Sequence, residues 1–222
     1  MKEPFARLRP FPVDPRVLAA IRPMTAGDAP AVAALHRAAM GRSLWARLGA
    51  PFLEALYREL LRQDRFRAFV YEEEGRVGGF IAGASDSRGL FARTLARGWP
   101  RLVGPLLLGL LRCPSALLPL LATPLYFARS LPGDEIPAES FFCSFEPALR
   151  GTRVSGHINK VLFEQFLREG HERVKVTTEV DNEGANRQLP SWGFREHGRF
   201  RFYGKPMITY VLDLRDHPRL AP

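Results

Sequence analysis

The chain has 222 residues, 46% of them apolar, which is enough to bury one substantial core in a single decorated domain. Its formal net charge is +9, and arginine carries nearly all of it, since only four of the 32 basic residues are lysines. Arginine suits bidentate contacts with phosphate, so a polyanionic ligand, an anionic membrane surface and a coding bias toward arginine all remain open. No basic–aromatic interleaving or helix-turn-helix spacing accompanies the charge, and we therefore expect no nucleic-acid partner.

The cysteines and the apolar segments bear on location. Cys113 and Cys143 lie in apolar surroundings without metal or redox spacing, which predicts buried free thiols in a reducing compartment and no metal site. The first residues contain an acid and early prolines and lack an apolar h-region, so we expect a cytoplasmic protein. The longest apolar zone, residues 102–127, is interrupted by four prolines and Arg112, and is not expected to cross a bilayer.

The first part of the chain predicts an edge strand, two helices and a hairpin. Residues 1–20 are rich in proline and arginine and are interpreted as a loosely packed extension. A short strand is expected at 21–23, and apolar residues at helical spacing predict helices around 32–39 and over 44–61. Residues 66–71 and 77–83 flank an acidic turn and predict an antiparallel hairpin, whose glycines indicate a close backbone approach or a bulge.

Residues 87–133 differ from the rest and are interpreted as an insertion into the sheet pattern. They contain no acid and six arginines, four of which (Arg88, Arg93, Arg97 and Arg101) lie close to one helix face. The pattern predicts a basic amphipathic helix followed by a proline-broken apolar segment. Peripheral contact with an anionic membrane would use both features. We favour burial against the domain's own sheet or a second subunit, because the prolines should divide the segment into short pieces that fold back.

The remaining elements complete an α/β pattern. We expect a strand at 139–145, a turn at 146–151, a helix at 154–169, a strand at 174–180, a helix at 183–191, a hairpin of 194–202 and 207–214, and a tail at 215–222. This order predicts an α/β fold over residues 21–214, with a mixed central sheet flanked by helices on both faces and a helical insertion at 87–133.

The turn and helix start at 150–156 have the composition of an anion site. A helix N-terminus presents free N–H groups and the positive end of the helix dipole. Small, polar and basic residues surround it here: Arg150, Gly151, Thr152, Arg153, Val154, Ser155 and Gly156.

Two motifs give this segment a context. The run from Phe145 through Pro147 to Ser155 resembles the acyl-CoA motif of the Gcn5-related N-acetyltransferases, in which an apolar-X-Pro turn precedes Arg/Gln-X-X-Gly-X-Gly/Ala. Asn182 and Ala185, followed by Gly193-Phe194, resemble the second signature of that family. The resemblance implies the family's acyl-CoA fold and acetyl transfer from acetyl-CoA, as co-substrate, to the primary amine of a small molecule such as an amino sugar or amino acid. It also implies cofactor contacts from Phe145, residues 150–156, Asn182 and Asn186.

The sequence departs from the family in ways that affect catalysis. Arg153 and Ser155 replace the two central glycines of the phosphate loop, and Leu189 stands where the family often has a tyrosine that protonates the leaving thiolate. The tyrosine's role therefore cannot be carried over. A non-catalytic acyl-CoA-binding or membrane-associated module with a degenerate site remains the alternative.

Other residues are candidates for the proton transfers. Glu139 is the candidate base, because family members often carry an acid on this strand, although an ordinary exposed strand-end glutamate accounts equally well for it. Tyr203, at the hairpin tip, is the candidate acid. His36 and His157 lie beside apolar helical positions and are expected to be structural or solvent-facing.

Overall fold

The computed structural model describes Leu8 and residues 12–127, 131–149 and 151–220. Its helices are α1 (Pro15–Ala19), α2 (Ala29–Met40), α3 (Leu44–Arg47), α4 (Ala50–Leu60), α5 (Leu90–Arg112), α6 (Leu117–Phe127), α7 (Val154–Arg168) and α8 (Glu183–Ser191). Its strands are β1 (Ile21–Pro23), β2 (Phe66–Glu73), β3 (Arg76–Ala84), β4 (Glu139–Phe145), β5 (Arg173–Glu179), β6 (Arg195–Phe202) and β7 (Lys205–Asp213). Short 3₁₀ turns precede α2, α6 and α7.

The strands form one mixed sheet with a hydrophobic core on each face. Their order is β1-β2-β3-β4-β5-β7-β6, and only the β4–β5 pair is parallel. Successive side chains on a strand point to opposite faces, and the β3 neighbours Phe80 and Ile81 are both fully buried, one in each core. Helices α2, α4 and α5 cover the face of Phe80, and α7 covers that of Ile81. The predicted mixed α/β fold is confirmed.

The glycines of β3 lie where the sequence predicted a close approach or a bulge. A Cβ on Gly83 would lie 2.4 Å from the Glu139 carbonyl oxygen, so the backbones of β3 and β4 approach closely there. The β3–β4 register shifts between Ala82 and Gly83, which leaves Phe141 without a partner on β3. Both expectations are met within this one strand pair.

The predicted helix over 44–61 is two helices. Gly49 separates α3 from α4 with φ +93° and ψ 172°, a conformation that only glycine adopts without strain. The apolar periodicity continues across the break, because Leu48, Phe52 and Leu56 all reach the same core.

The chain ends are not loose appendages where they are described. At the N-terminal end, α1 packs against α7, and the Asp14 N–H donates to Nε2 of the buried His157 at 2.8 Å. At the C-terminal end, His217 is 3% exposed and stacks on Trp192. Residues 14–20 therefore contact the domain, although no residue of α1 is buried, and residues 215–220 belong to the packed domain.

The insertion consists of α5 and α6, and prolines do not divide α5. Pro100 and Pro105 lie inside a continuous 23-residue helix, contrary to the predicted short pieces. A proline at these positions leaves the carbonyls of Ala96 and Arg101 without their helical partners, but both residues are exposed, so water can satisfy them. In the described part of the chain no single helix is long and apolar enough to cross a bilayer; α5 and Pro114–Thr123 meet that criterion only together, across a bend of 118°.

We predict opposite outcomes for two glycine substitutions on α5. A Cβ on Gly109 would lie 2.4 Å from the Leu48 carbonyl oxygen, whereas one on Gly104 would have no neighbour within 4 Å. Gly109→Ala should lower the free energy of unfolding by about 1–3 kcal/mol, because the helix must move away from α3. Gly104→Ala should leave it unchanged or raise it by up to about 1 kcal/mol through helix propensity. Urea unfolding measures both, and equal effects would mean that α5 does not pack closely on α3.

Candidate active site

The central feature of the candidate site is a split in the sheet between β4 and β5. These parallel strands pair at only two described positions, Glu139 with Lys175 and Ser140 with Val176. Beyond them β5 stays paired with β7 along its length, and β4 stays paired with β3. The C-terminal half of β4 therefore borders an open cleft on the β5 side.

Backbone groups of β4 point into this cleft. The Glu146 N–H donates to the Gly78 carbonyl at 2.8 Å, and hydrogen-bonded pairs alternate from there along an antiparallel ladder. Phe142 and Ser144 therefore bond with β3, while the N–H and C=O groups of Cys143 and Phe145 point toward β5. A strand edge with free donors and acceptors is a binding surface for a ligand that carries amide groups.

The cleft leads to the start of α7, which has no side-chain cap. Its first helical bond runs from the His157 N–H to the Arg153 carbonyl, and the N–H groups of residues 154–156 lie ahead of it. The Nδ1 atom of His157 lies 2.7 Å from the same carbonyl. Because Nε2 of this ring accepts from Asp14, Nδ1 carries the proton and donates, so the buried histidine fixes the loop and is structural.

The predicted phosphate-loop residues take different positions. Gly151 has φ +76° and is exposed, so the turn uses the freedom of a glycine. The Thr152 hydroxyl donates to the Leu149 carbonyl at 2.6 Å, and Arg153 is exposed beside the helix start. Val154 points into the core with 3% exposure and can offer a ligand only its backbone.

Of the three remaining residues of the predicted phosphate loop, the structure describes two. Ser155 and Gly156 are half-buried in the first turn of α7. Arg150 lies outside the described residues, and its predicted phosphate contact stays a prediction.

The two asparagines assigned to cofactor binding hold α8 in place. Asn182 caps this helix by accepting from the Ala185 N–H at 3.2 Å. The side chain of Asn186 donates to the carbonyls of Glu179 at 3.2 Å and Val180 at 2.9 Å, and accepts from the Tyr210 hydroxyl at 3.2 Å. These bonds tie α8 to the end of β5, on the far side of the cleft from β4.

Glu139 lies at the closed end of the split and is not an ordinary exposed glutamate. Its side chain is 16% exposed, and its carboxylate lies 3.7 Å from the Lys175 ammonium and bonds to Ser87. Burial raises the pKa of the Glu139 carboxyl, and the charge of Lys175 offsets only part of that effect. A carboxylate with a raised pKa is a better proton acceptor near neutral pH, as a general base requires.

Tyr203, the candidate acid, lies at the other end of the insertion from Glu139. It occupies the β6–β7 turn with φ +49°, and its hydroxyl is 2.6 Å from that of Thr123 on α6. Glu139 instead contacts Ser87, where the insertion begins. Glu139 and Tyr203 therefore each lie next to the insertion, and the structure shows no contact between these two described side chains.

The two cysteines are less buried than the sequence predicted, and His36 is structural, as it predicted. Neither cysteine forms a disulfide, but Cys143 is exposed and Cys113 is half-buried, so the predicted burial is wrong. Neighbouring protein atoms nevertheless desolvate the Cys143 thiol and raise its pKa to about 12, which keeps it protonated. His36 is buried, bonds to the Tyr57 hydroxyl at 2.7 Å, and has its pKa lowered to about 4 by desolvation, so it is a neutral structural residue.

Sequence reasoning missed Lys175, the partner of Glu139. Lys175 is 5% exposed and also donates to the Gly133 carbonyl at 3.1 Å. A signal was present, because this is one of only four lysines in an arginine-rich chain and lies in the middle of a strand. Among the residues described, no group of three His, Cys, Asp or Glu side chains is placed to hold a metal ion.

Comparison with known proteins gives one short sequence match and many structural ones. No family model matches the chain. A mycothiol acetyltransferase of Brachybacterium faecium is 33% identical over 75 residues, which cover 33% of this chain and 23% of that protein. The match therefore spans about a quarter of the length of this relative.

The structural matches extend over most of the chain. An N-acetyltransferase from Staphylococcus aureus Mu50 has a TM-score of 0.56 at 16% identity, covering 88% of this chain and 98% of that one. A ribosomal-protein-alanine N-acetyltransferase from Brucella melitensis has a TM-score of 0.56 at 18% identity, covering 87% and 98%. A protein from Salmonella typhimurium, solved with acetyl-CoA, has a TM-score of 0.53 at 18% identity, covering 90% and 96%.

The chain has the fold of the Gcn5-related N-acetyltransferases. The fold that this resemblance implied is therefore confirmed. The identities are too low to carry an acceptor over from any of these proteins.

We predict that Glu139→Gln changes the stability of the protein by an amount that depends on pH. A carboxyl with a higher pKa in the folded state ionises less readily there, so the free energy of unfolding falls as pH rises through the interval between the two pKa values. That interval begins near the ordinary glutamate value of about 4.3. The variant should therefore gain stability relative to the unmodified protein as pH rises through it. Urea unfolding at a series of pH values measures the difference in stability between the variant and the unmodified protein. Glu183→Gln, a substitution at an exposed glutamate, is the control. A difference for Glu139→Gln that does not change with pH would contradict the prediction.

Proposed function

We propose that the protein is an N-acetyltransferase that transfers the acetyl group of acetyl-CoA to a primary amine of a small molecule, such as an amino sugar or amino acid. The observation that carries the proposal is the free edge of β4, which leads directly to the uncapped start of α7. The backbone groups of Cys143 and Phe145 suit the amides of the pantetheine arm. The N–H groups of residues 154–156, with Arg153 beside them, suit the diphosphate.

In this proposal the reacting end of the ligand lies at the closed end of the split. With the diphosphate at α7 and the pantetheine arm along β4, the thioester reaches the region of Ser140 and Phe141, next to Glu139. The amine nitrogen attacks the thioester carbonyl, the new C–N bond forms and the C–S bond breaks. Glu139 takes the proton that the amine loses, and the departing thiolate takes a proton from Tyr203 or water.

Leu189 favours one competing function, a non-catalytic acyl-CoA-binding module. It is half-buried and packs against the core beneath α7, where it offers no proton to a leaving thiolate. A protein that has lost this acid but kept the β4 edge and the α7 start would bind the thioester without turning it over. Binding and thiol release must therefore be measured separately.

The first experiment separates these functions. We expect the protein to bind CoA in calorimetry and to release free thiol from acetyl-CoA when amino sugars or amino acids are supplied. Glu139→Gln should lower kcat on the order of 100-fold and leave the KM for acetyl-CoA nearly unchanged, since the base acts on the amine. Binding without thiol release across the amine panel would support the non-catalytic module, and absence of CoA binding at millimolar ligand would end both proposals.

A second experiment tests the diphosphate position alone. Ser155→Asp places a carboxylate in the first turn of α7, where it stabilises the helix by about 0.3–1 kcal/mol but repels a phosphate. Affinity for CoA should fall roughly tenfold or more, because a charge-assisted contact is replaced by repulsion. Ser155→Asn, nearly the same size without the charge, is the matched control and should keep most of the affinity. If calorimetry gives equal affinities for the two variants, the diphosphate does not bind here.

A further inference from the structure

Helix α5 is apolar on two sides, which a helix on the surface of a water-soluble domain is not expected to be. One side carries Leu90, Gly98, Leu102 and Gly109, which are buried against the domain. The other side carries large apolar residues that face solvent. It continues onto α6 across the bend at Cys113.

The exposed residues form one surface, which we call the leucine face. It consists of Trp99 (54% exposed), Leu107 (56%), Leu111 (80%), Leu117 (45%), Leu118 (78%) and Leu121 (66%). Positions 99, 103, 107 and 111 recur every four residues and so share one side of α5. Burial against the domain's own sheet, one of the two arrangements favoured from the sequence, is therefore wrong for these residues.

The leucine face is held rigidly. Gly109 lets α5 approach the backbone of Leu48 closely, and the Arg47 guanidinium donates to the Ser115 hydroxyl at 2.7 Å, just after the bend. Both contacts fix the corner between α5 and α6 against α3. The exposed leucines thus project from a braced corner of the domain.

A row of arginines borders the leucine face. Arg93, Arg97 and Arg101 are spaced four apart and lie along one side of α5, and Arg112 lies at the corner. Residues 87–133 contain six arginines and no acid, so they supply +6 of the net charge of +9, and the rest of the chain supplies only +3. The positive charge and the exposed apolar area are therefore concentrated in the same segment.

This charge decides between the partners that would cover the face. In a twofold dimer the same patch meets itself, which would bring two arginine-rimmed surfaces together without an acid in either segment. A layer of anionic lipid headgroups neutralises the same arginines, while the acyl chains beneath accept the leucines. We propose that the leucine face docks the protein onto an anionic membrane surface.

The test is flotation of the 222-residue protein with vesicles of phosphatidylglycerol and phosphatidylcholine, compared with vesicles of phosphatidylcholine alone. We expect flotation with the anionic vesicles only, decreasing as salt is raised. The double variant Leu111→Asp/Leu118→Asp should bind at least about tenfold more weakly, since both leucines would leave the apolar layer. Both positions are almost fully exposed, so the variant should melt at the same temperature as the unmodified protein.

Charge-matched variants separate specific docking from general attraction. Arg97→Glu should weaken vesicle binding, whereas Arg168→Glu, on α7, makes the same change in net charge and should have little effect. Three results would overturn the proposal: no flotation, equal flotation on neutral and anionic vesicles, or a dimer in light scattering that the leucine substitutions convert to monomer. CoA binding by each variant, measured separately, keeps failure of docking distinct from failure of the proposed acetyl transfer.

Discussion

The parting of β4 from β5 is the constraint on which the site depends. When two paired parallel strands separate, the backbone groups that faced each other lose their partners. Here β4 remains hydrogen-bonded to β3, and β5 to β7, while the side of β4 that faces β5 becomes free. The bulge at Phe141 lies just beyond the last pair. Asn186 holds α8 to the end of β5 and so keeps the far wall in place. The cleft is thus built from ordinary sheet hydrogen bonds on the outer sides of β4 and β5, and the two strand edges that face each other across it lack them beyond Ser140 and Val176.

Sequence predicted the parts of this arrangement that are local. The strand, the turn and the helix from 139 to 168 follow from apolar periodicity and small residues, and α8 was placed with its observed bounds. What it did not predict depends on tertiary contacts. Glu139 is half-enclosed because Lys175 and Ser87 approach it from distant parts of the chain. The prolines of α5 leave the helix intact, and the residues whose carbonyls they free, Ala96 and Arg101, are exposed to water; neither fact is visible in a linear pattern.

The insertion borders the candidate site and also forms an exposed surface. It begins at Ser87, which bonds Glu139, and returns at Gly133 and Asp134, which bind the Lys175 ammonium. The Phe91 ring lies 5.2 Å from that of Phe141, the bulge residue. At its far end, Thr123 contacts Tyr203. The insertion therefore contacts both proton-transfer candidates.

The distribution of charge also answers a question that composition left open. A coding bias toward arginine raises the number of arginines everywhere and does not remove acids from one segment. In this chain the 23 acids all lie outside residues 87–133, and the remaining sequence is close to neutral for its size. A polyanionic ligand at α7 requires only a few cations near 150–156, and Arg153 is exposed there. Two thirds of the net charge therefore belongs to residues 87–133. Four of the six arginines there, Arg93, Arg97, Arg101 and Arg112, lie on α5 beside the leucine face, whose apolar side chains no other described part of the domain covers.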